Sequence, residues 1–136
     1  MRQPPRTVAW ALLVLYAAGA AVMVLAPDSD LPTDAAQAIW RLLRDAGAPG
    51  WVSEKGVELV LNIVLFVPLS FIGAMLRPRW GWLQWLGVGF ALTFAVELVQ
   101  GMFLPDRTPD VVDMVANSLG ALVGYWLFLL TWRKSG

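Results

Sequence analysis

The chain has 136 residues, of which 58% are hydrophobic and 15% are charged, and its mean hydropathy is +0.62. Soluble domains carry about 25% charged residues, so this composition indicates a membrane protein. The absence of cysteine and histidine excludes disulfides, thiolate ligands and imidazole groups as metal ligands or general bases, and a net charge of zero gives no reason to expect a nucleic-acid partner.

The first predicted element is a membrane helix over residues 8–26. This uncharged run is about as long as the hydrocarbon core of a bilayer is thick, roughly 30 Å at about 1.5 Å per residue. A cleaved signal peptide is the alternative, because Arg2 and Arg6 precede the run and small residues occupy positions 17–21. We favour a retained helix, because apolar residues continue beyond that segment.

Residues 27–56 form a mixed connection, which we expect to be an outer loop containing a short amphipathic helix over 33–46. Thr33 is its predicted N-cap and Gly47 its predicted end. Apolar residues recur at helical spacing between them. The sequence leaves open whether this helix lies on the membrane surface or over the other helices.

Three further membrane helices are predicted over 57–76, 82–104 and 110–132, joined by tight turns at 77–81 and 105–109. Pro68 falls inside the second of them, which is tolerated in membranes when neighbours satisfy the freed carbonyl. The predicted fold is therefore all-α: a polytopic membrane protein with four transmembrane helices, forming one domain over 1–136.

The distribution of charge predicts the orientation of these helices. Basic residues without acidic neighbours occupy the N-terminus, the turn at 77–81 and the C-terminus, whereas acidic residues collect in the loop at 27–56 and the turn at 105–109. The positive-inside rule then places both termini in the cytoplasm.

Polar side chains occur inside three of the four predicted spans, at similar depths below the outer ends. Asn62 is expected about 8 Å deep, Glu97 about 10 Å, Gln100 about 6 Å, Asp113 about 4 Å and Asn117 about 10 Å. This agreement predicts one polar pocket in the outer half of the membrane.

The fourth span also predicts which way its polar groups face. Asp110, Asp113, Asn117, Gly120 and Gly124 are spaced 3, 4, 3 and 4 apart, which is one stripe of a helix. Glycines permit close helix contact in lipid, so the stripe should face the other helices.

Structural roles are the alternative for each of these residues. Thr108, Pro109 and Asp110 could be the cap, the first-turn proline and the first-turn acid of the last helix. The asparagines could bond across helices, and Glu58 could be solvated at the interface. Glu97 could form a structural bridge with Arg107, although ionisable groups inside membranes are by default functional candidates.

Two segments together resemble the VanZ-like family: "NIVLFVPLS" (62–70) and "ELVQGMFLPDRTPDVVDMVANSLGALVG" (97–124). They contain an Asn with Phe-x-Pro, then Glu-x-x-Gln, Arg-x-x-Asp-x-x-Asp and Asn-x-x-Gly-x-x-x-Gly. The residues that carry the resemblance are Asn62, Phe66, Pro68, Glu97, Gln100, Arg107, Asp110, Asp113, Asn117, Gly120 and Gly124. Ser70 stands where the family usually has glycine.

The resemblance implies a small bacterial protein that crosses the cytoplasmic membrane several times. The family takes its name from a glycopeptide-resistance cluster, in which the member raises tolerance to teicoplanin. The resemblance therefore implies a role in the cell envelope, and it leaves open the ligand, the oligomeric state and any catalytic activity.

Two classes of function fit these residues. In the first, the polar pocket binds an amphiphilic envelope molecule, such as a membrane lipid, a lipid-linked cell-wall precursor or a glycopeptide. The predicted ligand-binding residues are Asn62, Glu97, Gln100, Arg107, Asp110, Asp113 and Asn117. Arg107 could clamp a phosphate or a carboxylate through its planar guanidinium group.

In the second class, the protein is an intramembrane enzyme that acts on an envelope lipid. Glu97 could serve as a general base, with Asp113 as the second catalytic candidate. Asp110 and Asp113 could hold Mg²⁺ or Ca²⁺ through oxygen ligands, although the sequence requires no cofactor. A transporter is a weaker third interpretation, because no inverted repeat is visible.

Overall fold

The computed structural model describes residues 4–25, 31–103 and 110–131 and folds them into five α-helices, with no strand in these ranges. They are α1 (Arg6–Leu25), α2 (Leu31–Asp45), α3 (Glu54–Leu76), α4 (Trp82–Phe103) and α5 (Val111–Thr131). All except α2 are long and apolar enough to span a membrane. The predicted all-α fold, with four transmembrane helices and a short amphipathic helix between the first two, is confirmed.

The ends of α2 and α3 are set by local hydrogen bonds. Ser53 caps α3, because its hydroxyl oxygen accepts a bond of 3.1 Å from the amide of Gly56, and α3 therefore begins three residues before the predicted position 57. Gly47 has a φ of +87° and lies just beyond α2, where a left-handed glycine closes the last turn. The predicted N-cap of α2 is wrong, because Thr33 lies within its first turn and the helix begins at Leu31.

Asp110 is the N-cap of α5. Its carboxylate accepts a hydrogen bond of 2.8 Å from the amide of Val112, and its carbonyl accepts one of 3.2 Å from the amide of Met114. The sequence alternative that made Asp110 a first-turn acid behind a Thr108 cap is therefore wrong, and Thr108 and Pro109 lie outside the described residues.

The most extensive contact in the bundle joins α3 and α5, which run in the same direction. Two glycines of α5 make this contact possible. A Cβ atom on Gly120 would collide with the carbonyl oxygen of Ile63 and come within 2.8 Å of the Cβ of Phe66. A Cβ atom on Gly124 would collide with the hydroxyl of the fully buried Ser70. The predicted glycine stripe therefore faces α3.

α4 runs antiparallel to α5 and packs against another side of it. Gly89 lies against Ala121 and Ser118, and one turn further along α4 the buried Thr93 pairs with Asn117. Together, α3, α4 and α5 form a three-helix core. We call the end of the bundle at which α3 and α5 begin, and α1 and α4 end, the polar end.

α1 lies at the edge of this core. Among its described residues only Ala9 is buried. The hydroxyl of Tyr16 donates a bond of 2.8 Å to the carbonyl oxygen of Leu65 on α3. The amide that Pro68 lacks would have bonded to the carbonyl oxygen of Val64, so the bond from Tyr16 is made to the next carbonyl along α3.

α2 packs across the polar end against α3 and α1. Ala36 is fully buried there, and the indole of Trp40 donates a bond of 3.2 Å to the carbonyl oxygen of Val52. Of the two placements that the sequence left open, α2 therefore lies over the other helices.

Candidate functional site

A cavity of about 570 Å³ lies at the polar end and is lined by residues from all five helices. Small-molecule sites in proteins have volumes of about 300–1,000 Å³, so the cavity is large enough for a ligand. We call it the polar cavity. Its polar lining consists mainly of Glu58, Asn62, Gln100, Asp110, Asp113 and Asn117.

The first part of α5 contributes three of these side chains because they share one helix face. Asp110 is exposed, Asp113 is half-buried and Asn117 is buried, so the stripe runs from the mouth of the cavity into the bundle. Asp110 also caps the helix. Its capping role and its place at the cavity are therefore compatible.

Asn62 of α3 and Asp113 of α5 are directly connected. The amide nitrogen of Asn62 donates a hydrogen bond of 2.6 Å to a carboxylate oxygen of Asp113. Glu58 lies one turn before Asn62 on the same face of α3 and is half-buried in the cavity wall. The contact between α3 and α5 thus holds carboxylates beside an amide at the polar end.

Asn117 is satisfied on one side only. Its amide nitrogen donates a bond of 2.9 Å to the hydroxyl oxygen of Thr93. Asn117 is only 8% exposed, and its side-chain oxygen is buried without a hydrogen-bond partner among the described residues. An unsatisfied buried acceptor costs about 1–3 kcal/mol, and this oxygen is almost inaccessible although its residue lines the cavity.

The two polar residues of α4 are placed differently from each other. Gln100 lines the cavity, and its amide nitrogen donates a bond of 2.8 Å to the carbonyl oxygen of Val24. It thereby satisfies one of the carbonyls left without a donor at the end of α1. Glu97 is half-buried one turn from Thr93, and it is not among the described residues that line the cavity.

Arg107, the basic residue predicted for this site, lies outside the described residues. Its proposed pairing with Glu97 and its role as an anion clamp stay predictions. The charged side chains described in the cavity wall are all acidic: Glu58, Asp110 and Asp113.

The remaining wall of the cavity is apolar. α1 contributes Tyr16 and Met23, α3 contributes Leu65 and Phe66, and α2 covers one side with Ile39. The cavity therefore has a hydrophilic side on α5 and a hydrophobic side toward α1.

A family model described as VanZ/LLP1 matches residues 7–132. The chain belongs to the VanZ/LLP1 family. Comparison with curated proteins and with solved structures gave no match. The resemblance found in two segments therefore extends over nearly the whole chain.

The VanZ/LLP1 fold places several of the residues that carried the resemblance at the contact between α3 and α5. Phe66 packs at Gly120, and Ser70 packs at Gly124. Ser70 is the position at which the sequence departs from the resemblance, and its hydroxyl donates a bond of 3.1 Å to the carbonyl oxygen of Phe66. The substitution is accommodated because this polar group bonds within its own helix.

Sequence reasoning missed two contributors to the site: Thr93 holds Asn117 in place, and Tyr16 fixes α1 on α3. The part of the wall that α2 supplies had been left open. The spacing of Thr93 and Glu97, four residues apart on one helix face, could have indicated the first. Nothing in the sequence indicates that Tyr16 bonds to the carbonyl of Leu65.

A cluster of three or more acidic side chains would indicate a metal site formed mainly by protein ligands. No group of three or more acidic side chains close enough to hold a metal ion occurs within residues 4–25, 31–103 and 110–131. One oxygen of Asp110 and one of Asp113 accept hydrogen bonds from Val112 and Asn62. The site can therefore offer hydrogen-bond acceptors and negative charge at the head of an apolar chamber.

Proposed function

We propose that this VanZ/LLP1 protein binds an amphiphilic molecule of the bacterial cell envelope in the polar cavity. A membrane lipid, a lipid-linked cell-wall precursor or a lipoglycopeptide of the teicoplanin type would have the required character. The observation that carries the proposal is the division of one cavity wall into a carboxylate and amide side and an apolar side, within helices long enough to cross a membrane.

The proposal includes the orientation predicted from the basic residues. With both termini in the cytoplasm, the polar end opens at the outer surface of the bacterial cytoplasmic membrane. Asn62, Gln100, Asp110, Asp113 and Asn117 would contact the head of the ligand there. Glu97 and Arg107 would contribute from the end of α4 and the turn that follows it.

Native mass spectrometry of protein purified with its own membrane lipids tests the proposal. We expect a bound envelope molecule on the wild type and about tenfold less of it on Asp113→Asn, because this change removes a charge from the cavity while conserving volume. Asp45→Asn is the matched control, since Asp45 is exposed at the end of α2. Wild-type protein that carries no envelope molecule would contradict the proposal.

An intramembrane enzyme is the second candidate, supported by the presence of Asp110 and Asp113 in the same cavity wall. In that case Mg²⁺ or Ca²⁺ would bind these carboxylates, and Glu97 would act as a base on a lipid substrate. Turnover of a labelled envelope lipid that stops in EDTA would identify the enzyme. Retention of an unmodified ligand in EDTA identifies the binding protein.

A further inference from the structure

A second cavity lies beside the polar cavity at the surface of the bundle. It has a volume of about 460 Å³ and lies between α1 and α3, where it is open to the surroundings of the protein. We call it the α1–α3 groove. Its wall includes Leu12, Leu15, Tyr16, Gly19, Met23 and Leu65.

The α1–α3 groove and the polar cavity share part of their walls. Tyr16, Met23 and Leu65 line both of them. On α1 the groove extends from Leu12 to Met23, which corresponds to about 17 Å of helix axis at about 1.5 Å per residue. A chain-like molecule could therefore lie along the groove with one end in the polar cavity.

The chemistry of the two spaces differs sharply. The groove is lined almost entirely by apolar side chains, and the hydroxyl of Tyr16 is already bonded to the carbonyl of Leu65. The polar cavity is lined by three acidic residues, Glu58, Asp110 and Asp113. A head group that carries hydrogen-bond donors therefore suits the polar cavity, and an apolar tail suits the groove.

We propose that the two spaces hold a single lipid, whose head group bears an ammonium group in the polar cavity and whose acyl chain lies in the α1–α3 groove. An ammonium group supplies three hydrogen-bond donors and a positive charge, which match the three acidic residues of the cavity wall. This inference rests on the proposed function and specifies its ligand class and its path from the bilayer.

The glycine at the middle of the groove provides a test of the chain position. A Cβ atom added to Gly19 meets no other atom within 4 Å, and Gly19 lines the groove, so a side chain can be introduced there. Gly87 on α4 is a matched control, because a Cβ atom there also meets nothing within 4 Å and Gly87 does not line either cavity. Gly19→Phe and Gly87→Phe therefore differ mainly in whether the ring fills the groove.

Native mass spectrometry with added lipid measures both halves of the inference. The probes are dioleoyl phosphatidylethanolamine and its N-acetyl derivative, which share the phosphate and both chains but differ in the ammonium charge. We expect the wild type to bind the free amine about tenfold more than the acetylated lipid. We expect Gly19→Phe to reduce binding of the amine about tenfold and Gly87→Phe to leave it unchanged.

The outcomes separate the inference from the proposed function. Equal binding of the two lipids by the wild type would overturn the ammonium head group but leave an amphiphile in the cavity. If Gly19→Phe bound the lipid as well as the wild type does, the proposed position of the acyl chain would be overturned. Binding of neither probe, by protein that also carries no native amphiphile, would contradict the proposed function itself.

A second measurement covers the case in which Gly19→Phe does not fold. Wild-type protein is irradiated with phosphatidylethanolamine that carries a photoreactive group in one acyl chain. We expect cross-links to the α1–α3 groove, at Leu12, Leu15 or Met23. Cross-links confined to α4 and α5 would overturn the inference.

Discussion

Single polar side chains carry much of the organisation of the polar end. Thr93 is fully buried, and its hydroxyl oxygen accepts the hydrogen bond of the Asn117 amide between α4 and α5. Hydrogen bonds between membrane helices contribute about 0.6 kcal/mol on average and at most about 1.7 kcal/mol. The loss of this one would leave both polar atoms of Asn117 without a partner among the described residues.

Thr93→Val tests this pair. We expect the free energy of unfolding to fall by about 1 kcal/mol, because valine has nearly the shape of threonine but cannot accept the bond. Steric trapping or titration with denaturing detergent measures the change. Thr131→Val is the control, since Thr131 is exposed and its hydroxyl bonds to Leu127 in its own helix. Equal losses in both variants would contradict the role of the pair.

For single residues, the sequence predicted the helix face of a polar side chain better than its hydrogen-bond partner. The common stripe placed Asp113 and Asn117 toward the other helices, and the structure has them there. Their partners Asn62 and Thr93 come from two other helices, so the individual bonds depend on packing that one helix pattern does not contain. Glu97 shows the limit of such a prediction. Its position along α4 was predictable from the sequence, but its absence from the described cavity wall was not.

At the scale of helices, close contact replaces the hydrophobic driving force that lipid does not supply. α5 approaches the backbone of α3 at two glycines, and α4 approaches α5 at Gly89. Predicted helix limits agree with the structure to within three residues, because apolar runs and local breakers determine them. Caps such as Ser53 depend on side-chain geometry and were less predictable.

Gly120→Ala tests the contact between α3 and α5. Glycine to alanine in a helix usually stabilises by up to about 1 kcal/mol. Here we expect a loss of about 1–3 kcal/mol, because the added methyl group would collide with the carbonyl oxygen of Ile63. Gly87→Ala is the matched control, and we expect it to raise the free energy of unfolding, as glycine to alanine usually does in a helix. Stabilisation of both variants in the same unfolding assay would show that the contact is less tight than described.

At the scale of the whole molecule, the arrangement of four long helices was predictable, but their packing order was not. The first span is the one predicted span without any of the polar pocket residues, but this difference alone does not predict that α1 lies at the edge. The position of α2 over the cavity follows from Ala36 and Trp40, whose partners lie on other segments. Hydropathy determines which segments enter the membrane, whereas tertiary contacts determine which of them touch.

The orientation of the molecule can be measured with single cysteines, because the chain has none of its own. Gly50 and Arg79 are exposed in the connections at opposite ends of α3. We expect a membrane-impermeant maleimide to label Gly50→Cys in intact cells, and to label Arg79→Cys only after the membrane is opened. The reverse pattern would place the polar cavity on the cytoplasmic side and contradict that part of the proposed function.

The parallel pairing of α3 and α5 affects the order in which the protein can assemble. These helices are not consecutive, since α4 lies between them in the chain and returns across the membrane. The ribosome must therefore synthesise α5 before the surface of α3 around Ile63 and Phe66 can be covered by Gly120. Until α5 is synthesised, that surface of α3 stays uncovered in the bilayer. A nascent chain that ends before residue 111 therefore lacks the helix that covers it.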